Sequence, residues 1–126
     1  MTDTAESRPS LDPNNPAQVA HAIALMCDQL EAATAVYRDD IERAARSSAA
    51  YKMAWARGLL AVINEATGRR TTVAEREALV EVRTNDLRVI ADVHDAQAKA
   101  TKESLNSLRV RLDGARSLGA NLRSLT

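Results

Sequence analysis

Between Pro16 and the end of the chain there is one strong turn signal, Thr67-Gly68-Arg69-Arg70-Thr71, and on both sides of it apolar residues recur at steps of three and four. Val19, Ile23, Met26, Leu30, Ala33, Tyr37 and Ile41 set the period before the turn. Tyr51, Trp55, Leu59 and Val62 resume it after the Ala/Ser-rich stretch 44–50, and no proline interrupts the run. A helix of about 50 residues is ~75 Å long. Composition agrees: there is no Phe, one Trp, two Tyr and only four Gly in 126 residues, so the aromatic residues and turns that a sheet needs are missing. Ala, Arg, Leu and Glu dominate, and the expected fold class is all-α.

The element boundaries have local causes. Asn15 can cap a helix, Pro16 suits its first position and Gln18 stands at N3. Gly68 fits the left-handed position that closes a helix. Thr72-Val73-Ala74-Glu75 has the form of a capping box, with Glu75 and Glu77 in the dipole-positive first turn. The expected organisation is a disordered acidic arm over residues 1–15 and a helical domain over 16–126. Within that domain helix one runs about 16–66, the turn 67–71 and helix two about 72–124, as a long antiparallel, coiled-coil-like hairpin.

In helix two, Leu79, Val82, Val89 and Val93 form an apolar track with Leu87 and Ile90 alongside. Leu105, Leu108, Leu112, Ala115 and Leu122 then fall at heptad positions, with Gly119 on the same seam. Apolar tracks this wide exceed what one partner helix covers, so a symmetric homo-oligomer is expected, with Leu105, Leu108, Leu112 and Leu122 as its seam.

Several functions are excluded or poorly supplied. Cys27 is the one cysteine, so neither an intrachain disulfide nor a Cys-based zinc site is expected. His21 and His94 are the only histidines, and there is no Gly-rich phosphate loop or nucleophile elbow. No catalytic residues, metal or cofactor are expected, and the chain reads as a non-enzyme. No apolar run approaches a membrane span and the N-terminus does not read as a signal peptide, so a cytoplasmic setting is expected.

The formal net charge is zero but unevenly spread: residues 1–42 carry −6, 43–98 carry +2 and 99–126 carry +4. Lys102, Arg109, Arg116 and Arg123 stand seven residues apart, a cationic line at e positions beside the seam. Such bases either bridge to acids on another helix, with Asp28, Glu31, Asp39, Asp40 and Glu42 as candidates, or contact an anion such as nucleic acid. Tyr51 and Trp55, one turn apart with Lys52 and Arg57 nearby, allow two readings as well: base stacking flanked by phosphate contacts, or ordinary packing.

From Tyr51 to Arg123 the chain resembles small helical proteins of actinobacterial phages encoded among recombination and replication genes. The resemblance is carried by Thr72-Val73-Ala74-Glu75-Arg76 and by the closing segment from Leu108-Arg109-Val110-Arg111-Leu112 to Arg123. More distantly it is similar to the UvsY family of phage recombination mediators, which have a Lys-Ala-Arg-Leu-like segment whose bases contact DNA. Trp55-Ala56-Arg57 occupies the comparable place, so Arg57 carries over; the lysine does not, although Lys52 lies one turn earlier. The acidic N-terminal arm has no counterpart.

The resemblance implies an all-helical oligomer that binds single-stranded DNA and helps load a RecA-like recombinase onto strands covered by single-strand-binding protein, in a host cytoplasm if the chain is phage-encoded. Nucleic-acid contacts are then expected from Lys52, Arg57, Lys102, Arg109, Arg116 and Arg123. The competing expectations are a structural or adaptor coiled coil, or a small inhibitor that binds another protein through its helical faces.

Overall fold

In the computed structural model, residues 12–125 are described. They form two long helices packed against each other as a hairpin, α1 over Pro16–Glu65 and α2 over Val73–Ser124, with no strand among the described residues. Most of the expected acidic arm, residues 1–11, lies outside the described residues. Residues 12–15 form a turn in which Asn15 N–H donates to the Asp12 carbonyl at 3.1 Å. Asn15 Oδ1 accepts from the Ala17 and Gln18 N–H groups at 3.0 and 3.4 Å, and Gln18 Oε1 accepts from Asp12 N–H at 2.8 Å. Donors that a helix start leaves unpaired are thereby satisfied.

The reversal is built as compactly. Gly68 has φ 86°, a conformation that side chains with a Cβ avoid, and Arg69 N–H reaches the Ala66 carbonyl at 2.8 Å. Thr72 Oγ1 then accepts from Glu75 N–H at 3.1 Å to start α2. Arg76 ties the cap to the turn, its Nε donating to Thr71 Oγ1 at 2.7 Å.

The hairpin comprises two compact units. In the unit that pairs α1 up to Ala35 with α2 from Glu103, the core is aliphatic: Val19, Leu105 and Leu112 are buried, with Ala115 beside them. A Cβ on Gly119 would sit 3.5 Å from both Val19 and Ile23, so α2 approaches α1 closely there. Leu105 and Leu112, expected at the seam between copies, are each 2% exposed in the single chain. Their surface is used inside the hairpin, Leu108 and Leu122 being half-buried beside them.

The unit Val36–Lys102 is packed differently. Its buried positions are Val62 and Asp40 on α1 and Val80, Thr84, Ala91 and Ala98 on α2. A Cβ on Gly58 would meet Val80 Cγ1 at 3.2 Å, so the backbones are close at that point. Polar pairs complete the seam: Thr101 Oγ1 donates to Asp40 Oδ2 at 2.5 Å, and Ser47 Oγ bonds His94 Nδ1. No buried side-chain nitrogen or oxygen among the described residues lacks a partner.

The brightest apolar track of the sequence is not part of this seam. Leu79, Val82, Val89, Ile90 and Val93 are all exposed, as is Ile41, whose expected place is taken by Asp40. The cause is the heptad phase: counting back by sevens from buried Leu105 gives Ala98, Ala91 and Thr84, which puts the larger aliphatics on the outside.

Two substitutions test this packing. Gly114 lies within α2 with nothing within 4 Å of an added Cβ, so Gly114→Ala is expected to stabilise by about 0.5–1 kcal/mol. Leu112→Ala removes a core side chain and is expected to cost about 2–5 kcal/mol. Urea unfolding at one fixed protein concentration checks both.

Candidate nucleic-acid interface

Helical geometry puts a residue on the same side of a supercoiled helix every seven positions, and α2 carries Lys102, Arg109, Arg116 and Arg123 at that interval, all exposed. Arg109, Arg116 and Arg123 belong to the unit with the aliphatic core, Lys102 to the other. Arg116 and Arg123 border an open groove of about 590 Å³ floored by Val19, Ala20, Ile23 and Gly119. Arg116 also reaches Cys27, with Nη2 3.9 Å from Sγ.

Among the described residues, the acids of α1 do not pair with Lys102 or Arg109. Asp40 pairs with Arg43 at 3.2 Å, and Glu42 with Arg46. Asp28, Glu31 and Asp39 are exposed and make no ion pair among the described residues. Lys102 and Arg109 make none either. Among the described residues, these two bases face solvent rather than carboxylates.

The aromatic cluster divides. Tyr51, Lys52 and Trp55 line one shallow depression together with Glu81 of α2. Both rings are half-buried, and the carboxylate across from them opposes a phosphate. Arg57 is exposed and is not part of that depression; two residues beyond Trp55 it points about 200° round the helix. Arg57, on one side, and Lys52, on the other, also border an outward apolar stripe, Met53, Ala56 and Leu60.

Other candidates have local roles. His94 bonds Ser47, and no group of three or more His, Cys, Asp or Glu side chains among the described residues is placed to hold a metal ion. Among the described residues no helix is long and apolar enough to cross a membrane. A two-point charge pair lies near the turn. Arg83 donates from both Nη atoms to Glu65, at 2.8 and 3.2 Å. That hydrogen bond holds the Glu65 carboxyl below its ordinary range and raises the Arg83 guanidinium.

The chain matches no family model, no curated protein and no solved structure.

The Glu65–Arg83 pair has a pH signature. A carboxyl with a depressed folded pKa adds stability above its unfolded pKa and loses it as pH falls through the folded value. At neutral pH Glu65→Gln is expected to lower the melting temperature slightly, as befits an exposed pair. The two melting curves, followed by circular dichroism, should converge once pH drops below the ordinary glutamate range.

Proposed function

We propose that this chain is a non-enzymatic, self-associating helical hairpin that binds single-stranded nucleic acid through the basic line of α2. The observation that carries the reading is the exposure of Lys102 and Arg109 without any carboxylate partner among the described residues, while α1's buried acid Asp40 is satisfied locally by Arg43 and Thr101. Cations spaced by seven residues repeat every ~10.5 Å along a helix, a track that follows a phosphate backbone without reading bases. One hairpin meets only a few phosphates, and repetition of the site in a homo-oligomer supplies useful affinity. The resemblance to recombination mediators gives the role: loading a RecA-like recombinase onto strands covered by single-strand-binding protein.

The exposed aliphatic face of α2 favours a second reading, a structural or adaptor coiled coil in which the same bases pair with a partner's acids. Binding separates the two. Fluorescence anisotropy with single- and double-stranded oligonucleotides across a salt series should show single-strand binding that weakens steeply with salt. Combining Arg109→Ala with Arg116→Ala should weaken it and flatten the salt slope by about 1.4, at ~0.7 per lost phosphate contact, with assembly size unchanged. Absence of binding by the unaltered protein at low salt would overturn the nucleic-acid reading in favour of the adaptor.

A further inference from the structure

Within Val36–Lys102 the two helices each carry an apolar stripe on the side turned away from the other. On α1 it is Met53, Leu60 and Ile63; on α2 it is Val82, Val89 and Val93. Leu60 is 64% and Val82 74% exposed, high values for aliphatic side chains within long helices. A stable interface takes only about 800 Å² from each partner.

The stripes differ in charge. Lys52 and Arg57 flank the α1 stripe on either side, and Asp86 and Asp92 lie in and beside the α2 stripe. All four are exposed, and none makes an ion pair among the described residues. Like stripes facing each other would bring like charges together, whereas unlike stripes are complementary.

We propose that the outer face of α1 in one copy packs on the outer face of α2 in the next, head to tail, with Lys52 and Arg57 meeting Asp92 and Asp86. The proposal rests on the reading that the chain self-associates and names the surface and its partner. The register supports it. Inside the hairpin, Asp40 is level with Thr101 and Ser47 with His94. A copy carried round an axis parallel to the helices keeps those levels. Met53 then comes level with Val89, and Leu60 with Val82, to within about one residue, ~1.5 Å. Lys52 and Arg57 fall within about one turn, ~5.4 Å, of Asp92 and Asp86. The contact is heterologous, so it repeats from copy to copy. It assigns Arg57 and Lys52 to subunit contact, and nucleic acid to the basic line of α2.

Sedimentation velocity on four proteins tests this. The unaltered chain should sediment as an assembly. Lys52→Glu with Arg57→Glu, and separately Asp86→Lys with Asp92→Lys, should each dissociate, with helicity by circular dichroism retained. The chain carrying all four changes should recover assemblies of the original size, because every contact is again complementary, and an equimolar mixture of the two should recover assemblies in which the variants alternate, with an even number of copies. Dissociation of each pair without recovery in the mixture or in the four-fold variant would overturn the proposal, as would assemblies that survive both pairs. A monomeric unaltered chain would instead sink self-association itself. If the four-fold variant assembles but loses oligonucleotide binding in anisotropy, Lys52 and Arg57 also contact the strand, and the assignment of nucleic acid to the basic line of α2 alone is overturned.

Discussion

The Val36–Lys102 half of the hairpin is closed by small and polar side chains, and the surfaces left for other molecules follow from that seam. Gly58 lets Val80 approach, Ala91 and Ala98 take little room, and Asp40–Thr101 and Ser47–His94 bond across the interface. Such a seam brings the backbones close but buries little aliphatic surface. The larger side chains of the same segments therefore face outward, where only another molecule can cover them. The other unit is the reverse, with Val19, Leu105 and Leu112 inside.

Charge is apportioned on similar lines. Buried Asp40 is paired and hydrogen-bonded, as a buried carboxylate must be. Glu42, Glu65 and Asp95 each meet an arginine or lysine of the chain. Lys102 and Arg109 are exposed and make no ion pair among the described residues.

The two helices were legible in the sequence because their signals are local. Asn15 and Pro16 at the start, Gly68 at the reversal and Thr72 at the second cap act through backbone groups a few residues away. Whether the bases at seven-residue spacing meet acids or solvent was left open by the sequence, because spacing fixes a side of the helix and not its neighbour. What periodicity could not tell was which neighbour covers an apolar track. Leu79, Val82, Val89 and Val93 look like the seam of α2, yet the seam goes to Thr84, Ala91 and Ala98, in step with Leu105. Hydropathy also places Ile41 inside and Asp40 outside. The reverse holds because Thr101, 61 residues away, and Arg43 satisfy the carboxylate. The signal available was the heptad phase of Leu105 and Leu112 carried back through small residues. For the candidate site, the sequence grouped Arg57 with Tyr51 and Trp55, but helical rotation sets it on another face.

Aliphatic surface, on this reading, holds the copies together while the basic line of α2 is left for nucleic acid. Sedimentation velocity of the full chain with a dye-labelled single-stranded oligonucleotide, repeated at rising salt, tests that division most directly, because a second dye of another colour on the protein's amino terminus reports the protein while the first reports the strand. The strand should travel with an assembly at low salt and be released as salt rises, while the protein keeps the same sedimentation coefficient. A protein that falls to single chains as the strand leaves, or a strand that never travels with it, would contradict the division.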